Sequence, residues 1–275
     1  MSKRSIWPVV ITLTTDFGAD SPYVAAMKGV ILAINPRTRI IDLSHQIPPQ
    51  DVQYASFFLR ACIPYFSPEV IHIAVVDPGV GTRRALLYVE IDGHRMLAPD
   101  NGCWTGLMHK GSKPATVLRL TESRLWRQPV SSTFHGRDIL APVAAYLSLG
   151  EDPRNLGVPF EEWARLDIKS PTTKDDLLTG EVIFIDHFGN LITNIPGPEF
   201  ERICKQPVRI TVGDQLVTRR AEAYAESDAG TPVALISSMD ILEVAVTNGN
   251  AAKKLGAGVG TAVSVQVISH SRPDA

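Results

Sequence analysis

The sequence predicts an α/β protein: a mainly parallel N-terminal sheet with flanking helices, then a smaller, mainly antiparallel β domain. Three observations predict it. First, apolar β-rich runs alternate with helical stretches, from Val9–Thr15 through Tyr23–Ile34, Arg39–Leu43 and Asp51–Ile63 to Val70–Val76. That alternation builds a parallel sheet covered on both faces. Second, two of the strands end in a carboxylate followed by a glycine-bearing turn, Asp16-Phe17-Gly18 and Asp77-Pro78-Gly79. This is the sheet edge where α/β folds place ligands. Third, the composition changes at Lys169-Ser170-Pro171-Thr172-Thr173-Lys174-Asp175-Asp176, a polar stretch without apolar periodicity, beyond which strand patterns dominate. The expected organisation is an α/β domain over residues 1–168, a linker over 169–178 and a β domain over 179–275.

Each element has a local reason. Ser21-Pro22 supplies an N-cap and a proline at the first helical position, and Asn35-Pro36 stops the helix. Ala25, Ala26 and Gly29 let that helix pack closely on a sheet. Val52, Ala55, Phe58, Leu59 and Cys62 recur at helical spacing in the second helix. Pro78 ends the third strand, and Gly79 and Gly81 open backbone conformations that other residues avoid. Asp92-Gly93, between Ala85–Ile91 and His94–Ala98, is the strongest hairpin signal in the chain. Pro99-Asp100-Asn101-Gly102 is a turn before a short helix, Thr116–Leu120 is a strand, and Ser131–Asp138 opens a helix that runs to about Leu149 with Pro142 in its first turn or at a kink. In the second domain the expected strands are Gly180–Ile185, Leu191–Ile195, Val208–Val212, Val233–Ser237 and Ala262–Ile268, and Asn248-Gly249-Asn250 caps a short helix, Ala251–Leu255.

Composition narrows the function classes. The 275 residues are 44% hydrophobic and 20% charged, with a formal net charge of -2. No bulk positive field favours nucleic acid or an anionic membrane. The three cysteines, Cys62, Cys103 and Cys204, are far apart and form no CxxC pair, which speaks against a disulfide framework or zinc knuckle and fits a reducing cytoplasm. No apolar run approaches the ~18 residues that span a bilayer, and no signal-peptide pattern follows Met1-Ser2-Lys3-Arg4.

The candidate chemistry centres on Val75-Val76-Asp77-Pro78-Gly79-Val80-Gly81-Thr82-Arg83-Arg84, where a carboxylate at a strand end is followed by a turn carrying two cations. Alone, the stretch also reads as a tight turn with a surface ion pair. A dinucleotide fingerprint fails because Arg84 stands where a third glycine belongs. Asp16 and Asp77 share one sheet edge and therefore a crevice. His135 is the third polar candidate, and Arg137-Asp138 reads as a structural pair. In the second domain, Asp186-His187-Phe188-Gly189-Asn190 is dense in polar groups, but no further ligand pair at suitable spacing supports a metal. Ser237-Ser238-Met239-Asp240 and Asn248-Gly249-Asn250 either present groups to a ligand or are turns.

In this order and spacing, Asp16-Phe17-Gly18, Asp77-Pro78-Gly79-Val80-Gly81-Thr82, Ala98-Pro99-Asp100-Asn101-Gly102, Phe134-His135-Gly136-Arg137-Asp138 and Asp186-His187-Phe188-Gly189-Asn190 resemble the S-adenosyl-L-methionine (SAM) hydroxide adenosyltransferases. These SAM hydrolases are related to the fluorinase and chlorinase enzymes. The resemblance runs from Thr14 to about Val267. It implies a barrel-like C-terminal domain and a homotrimer with each site between one subunit's N-terminal domain and a neighbour's C-terminal domain. It implies that Asp77, Arg84 and His135 surround the attacking water, with Arg83 adjacent to the chosen arginine. Asp16 would hold the ribose hydroxyls, Asp186 the methionine ammonium and Asn190 the adenine, helped by backbone near Asn248. Ser238 and the amide of Met239 would bind the methionine carboxylate. Met239 stands where the halogenating relatives have arginine, Gln50 where they have an aromatic residue and Tyr23 where they have serine. Those relatives replace the aspartate and histidine of the water-binding set, so their presence here favours water over halide. The implied reaction is attack of water on C5′ of SAM, giving adenosine and L-methionine with no metal or cofactor. A halogenase using chloride and a SAM- or adenosine-binding sensor without turnover are the competing readings.

Overall fold

The computed structural model describes residues 9–108 and 113–268. They form two compact units that divide between Asp167 and Ile168. No helix among the described residues is long and apolar enough to cross a membrane.

In the first unit, β1 (Val10–Thr15), α1 (Pro22–Ile34), β2 (Arg39–Ser44), α2 (Val52–Cys62) and β3 (Ile71–Val75) follow the predicted alternation. Then come β4 (Leu86–Ile91), β5 (His94–Pro99), β6 (Thr116–Leu120), a π-helical turn (Gly136–Leu140), α3 (Ala141–Ser148) and β7 (Gly157–Pro159). The strand order is β2-β1-β3-β5-β4-β6-β7. Strands β2, β1, β3 and β5 run parallel, whereas β4, β6 and β7 pair antiparallel, so the sheet is mixed. The predicted hairpin at Asp92-Gly93 is the reason. It returns β5 to the flank of β3 and leaves β4 outside it, antiparallel to β5. Capping follows the sequence: the Ser21 side chain accepts the Tyr23 N–H, and Asp51 Oδ1 accepts the Tyr54 N–H.

Both faces of this sheet are covered. Ile71, Ile73 and Val75 of β3 pack with Met27 and Ile31 of α1 and with Ala141 and Ala144 of α3. Ala74 and Val76 pack on the opposite face with Ala55 and Leu59 of α2 and with Trp104. Pro142 takes the second position of α3, directly after the π turn that leads into it.

The second unit carries β8 (Thr172–Lys174), β9 (Leu177–Ile185), β10 (Leu191–Pro196), α4 (Gly197–Ile203), β11 (Val208–Val212), β12 (Gln215–Val217), β13 (Arg219–Arg220), β14 (Pro232–Ile236), β15 (Ile241–Val246), α5 (Ala251–Leu255) and β16 (Ala262–Val267). Residues 169–178, expected as a linker, hold β8 and the first residues of β9, which pair through Thr172↔Thr179 and Lys174↔Leu177. The polar composition there belongs to an exposed edge hairpin. The strands run β12-β11-β16-β9-β10-β15-β14-β13, and β12 approaches β14, so the sheet curls into a nearly closed barrel around Val182, Leu191, Val244 and Val263. Besides β8, four elements go beyond the sequence expectation: the short strands β12 and β13, and α4 and β15. α4 begins with Gly197-Pro198, which reads as a turn but here places proline in a first helical turn. β15 is buried along its whole length, so it shows no alternation.

Buried histidine makes this fold acid-sensitive. His72 on β3 is fully buried, its Nδ1 lies 2.8 Å from Thr12 Oγ1, and its ring centroid is 6.0 Å from that of His94. Burial, reinforced by His94, pulls its pKa from 6.5 down to about 4. The unfolded chain therefore takes up the proton first as pH falls. His72 supports the fold fully above pH 6.5, and that support drains away as pH falls toward 4, on the order of 3 kcal/mol in all. Thermal melts across pH 7 to 4.5 should show a drop in Tm that is shallower in His72→Gln; equal slopes for the two proteins would refute the assignment.

Candidate active site

The order β2-β1-β3 reverses direction at β1, so a crevice opens between the carboxyl ends of β1 and β3, whose last residues Thr15 and Val75 pair. Asp16 and Asp77 follow these strand ends directly or one residue on. The sequence places both at this edge, and the structure brings the rest of the site to them.

Asp77 faces Arg84. Arg84 Nε donates to Asp77 Oδ1 at 2.6 Å, and Arg84 Nη2 donates to Asp77 Oδ2. The two side chains are only 7% and 9% exposed, while Arg83 is exposed. This bidentate, charge-assisted geometry is the strong form of the carboxylate–arginine contact. The turn between them exists for this purpose. Thr82 Oγ1 donates to the Gly79 carbonyl and accepts the Arg84 N–H. A Cβ on Gly79 would lie 3.3 Å from Arg84 Cδ. Gly81 has φ +81°, and a Cβ there would stand 2.8 Å from the Ser132 carbonyl oxygen. Asn101 Nδ2 donates to the Val76 carbonyl at 2.8 Å, holding the strand end just before Asp77.

His135 arrives from the segment that Gly81 touches. Arg84 Nη2 lies 3.1 Å from His135 Nδ1. A guanidinium only donates, so Nδ1 accepts and the imidazole proton sits on Nε2. Burial, with the Arg84 charge next in size, holds the His135 pKa below its ordinary value. Its backbone is set by two devices. Gly136 starts the π turn where a Cβ would be 3.2 Å from Val75 and 3.4 Å from Met27. Asp138, fully buried, gathers Arg127, Arg137 and the Ser131 N–H. The expected Arg137–Asp138 pair is thus part of a wider knot that ties the histidine-bearing loop.

Asp16 Oδ2 accepts the N–H of Gln50, at 2.8 Å, and Gln50 holds a left-handed φ of 64° to give it. Tyr23 is 53% exposed and packs edge-on against Phe134 (5.2 Å) and Phe17 (5.6 Å). Phe17 also meets Phe134 at 5.8 Å, so the neighbours of Asp16 and His135 touch.

In the second unit, Asp186 closes the β9–β10 loop. Its Oδ1 accepts the N–H groups of Phe188 and Asn190, and its Oδ2 accepts Asn190 Nδ2 at 3.0 Å. Ala252 of α5 donates to the Gly189 carbonyl, and Asn250 caps α5 by accepting the Lys253 N–H. That fastens the Asp186 loop beside the turn containing Asn248, whose φ is 50°. A cavity of ≈ 440 Å³ opens near it, lined in part by Asp186, Ser237, Ser238 and Met239. The Met239 N–H points at Ser237 Oγ, 3.3 Å away. Asn190 and Asn248 do not line this cavity, and the Asn190 amide is turned onto Asp186. Tyr224 and Glu243 do line it and were not singled out from the sequence; the signal was a lone charge inside the apolar run Ile241–Val246. Among the described residues no group of three or more His, Cys, Asp or Glu is placed to hold a metal ion.

Fold and site define an α/β protein with an acid–base cluster at the switch point of its sheet and a separate carboxylate-lined cavity in a β-barrel unit. The chain belongs to the SAM hydroxide adenosyltransferase family: the model of that family's N-terminal domain matches residues 11–157, and that of its C-terminal domain matches residues 180–264. It is 37% identical over 254 residues to an (R)-S-adenosyl-L-methionine hydrolase of Thermus thermophilus, covering 88% of this chain and 93% of the relative. To an enzyme of the same name from Salinispora tropica it is 36% identical over 258 residues, covering 93% and 97%. A crystal structure of a conserved protein from Thermotoga maritima superposes with a TM-score of 0.87 at 33% identity, covering 94% of this chain and all of that one.

The hydrogen-bond geometry fixes a tautomer that can be seen directly. Nitrogen-detected NMR at pH 7 should find His135 neutral with its proton on Nε2, and Arg84→Met should raise its pKa by removing the positive neighbour. A doubly protonated His135 at pH 7 would contradict this arrangement.

Proposed function

We propose that the protein hydrolyses SAM to adenosine and L-methionine by in-line attack of water on C5′ of the ribose. The observation that carries this reading is the Asp77–Arg84–His135 cluster at the β1–β3 crevice, in a chain of this family. The sulfonium is already a good leaving group, so the site needs to align a water with C5′ and exclude other waters. The O–C5′ bond forms as the C5′–S bond breaks, and its electron pair neutralises the sulfur, which leaves as the thioether of methionine. Each Asp77 oxygen accepts one guanidinium N–H and keeps a lone pair for the water, whose proton it draws off. His135 presents its Nε2–H to the same water. Asp16, held by the Gln50 amide, binds the ribose hydroxyls. Asp186 takes the ammonium, Ser238 and the Met239 amide take the carboxylate, and Asn190 with backbone near Asn248 takes the adenine.

Chloride is the poorer nucleophile for this site. The one guanidinium is committed to a carboxylate, so the cluster carries no spare positive charge for an anion, and Asp77 repels it. The reaction calls on no metal or cofactor. The assembly we propose is a homotrimer, in which one subunit supplies Asp16, Asp77, Arg84 and His135 and its neighbour supplies the Asp186 loop. Phe188 on that loop is 72% exposed, as a residue awaiting a partner surface would be. The free cysteines fit a cytoplasmic location.

In oxygen-18 water the label should enter the 5′-hydroxyl of adenosine. Asp77→Ala and His135→Ala should lower kcat by ~10²-fold or more while SAM still binds, and Asp16→Ala should weaken binding. Unlabelled adenosine, or 5′-chloro-5′-deoxyadenosine as main product, would overturn the choice of nucleophile. The assembly has its own test. Inactive Asp77→Ala and Asp186→Ala proteins, mixed under conditions of subunit exchange, should regain activity, and a fully active monomer by light scattering would rule the trimer out.

A further inference from the structure

Glu243 occupies a place where a carboxylate is costly. It sits in the middle of β15, is 4% exposed, and is the one charge in the wholly buried run Ile241–Val246. Its cross-strand partners are Ile192 on β10 and Leu235 on β14. Opposed residues share a face of the sheet, and all three line the cavity that also holds Asp186, Ser238 and Met239. Three carboxylates therefore border one cavity, the exposed Glu222 and the two less exposed acids Asp186 and Glu243. No lysine, arginine or histidine among the described residues forms an ion pair with Asp186 or Glu243.

The two less exposed acids are not equally satisfied. Asp186 accepts three protein donors, two backbone N–H groups and the Asn190 amide, and so organises its own loop. Glu243 accepts the Tyr224 hydroxyl at Oε1, 2.8 Å away. Tyr224 is held in turn, because the Thr247 hydroxyl donates to its carbonyl oxygen. A buried carboxylate with a single neutral donor calls for a cation. Burial, and to a lesser degree the Asp186 charge, push the Glu243 pKa up against the lowering effect of Tyr224, as expected of an acid that lacks a counter-charge.

We propose that Glu243 is a specificity-determining residue of this cavity: it binds the α-ammonium of the methionine moiety together with Asp186, and Tyr224 holds its carboxylate in position. The inference rests on the hydrolase reading and deepens it. The ammonium is then recognised by two negative charges, one mostly spent on loop structure and one kept for the ligand. The chemical class selected is a sulfonium nucleoside whose tail carries a free primary ammonium; the same tail without its amine leaves Glu243 buried and unpaired.

Steady-state kinetics on two substrates test this. One is SAM; the other is the analogue with a 3-carboxypropyl tail, which is methionine lacking its amine. Glu243→Gln should raise KM for SAM roughly 10- to 100-fold, the range for losing a charged hydrogen bond, with the smaller change in kcat. It should not raise KM for the amine-free analogue. Tyr224→Phe should shift KM for SAM in the same direction by less, and it carries the comparison if circular dichroism shows Glu243→Gln unfolded. An unmoved KM for SAM, or equal losses on both substrates, would reduce Glu243 to a structural acid and overturn the proposal. No adenosine from SAM with the unaltered enzyme would overturn the hydrolase reading itself, whereas adenosine formation with an unmoved KM overturns this inference alone.

Discussion

The first unit is built around one nearly buried ion pair, Asp77 with Arg84. A carboxylate and a guanidinium withdrawn from water each lose several kcal/mol of hydration, and only a close bidentate fit offsets that loss. The demand propagates outward. It requires the chain to double back within seven residues, which Gly79 and Gly81 permit, and it requires the end of β3 to be fixed, which Asn101 does by binding the Val76 carbonyl. It also sets the state of His135. A guanidinium committed to a carboxylate still has an N–H to give, and giving it to Nδ1 selects one tautomer of the imidazole.

The histidine comes from 51 residues further along the chain, so its placement depends on how that segment is anchored. The anchor is a second buried carboxylate. Asp138 draws two arginines and a backbone N–H onto itself and so closes the loop that carries His135. The π turn beginning at Gly136 then fits against Val75 and Met27. π turns interrupt regular helical bonding and recur at functional positions. Here the turn is the joint between a loop set by charge and a helix set by apolar packing. Preorganisation of this kind means that the groups need not rearrange when charge develops on the reacting atoms.

The second unit handles charge in the opposite way. Two of the three acids that line its cavity, Asp186 and Glu243, have neutral donors and, among the described residues, no ion pair. Where Asp77 and Arg84 cancel each other's charge in the first unit, the cavity of the second keeps negative ones.

Much of this was legible in the chain. Strand one to strand three, their helices and caps, the Asp92-Gly93 hairpin, the carboxylates at two strand ends and the Asn250-capped helix all rest on interactions among residues a few positions apart, and short-range pattern encodes those. Asp77 was visible because a strand end, a proline and two glycines are neighbours in sequence. Pattern alone left two adjacent arginines and the family resemblance chose Arg84; Arg83 and Arg84 differ in which way the turn points them, and the fold turns Arg84 inward. The position of β4 outside β5, the polar edge hairpin that looks like a linker, the fully buried β15 and the pairing of Glu243 with Tyr224 are likewise decisions of tertiary structure. Each is set by contacts between residues far apart in sequence. A buried strand reads as an apolar run whatever its neighbours are, and a lone glutamate within it acquires meaning only when three strands close a cavity around it.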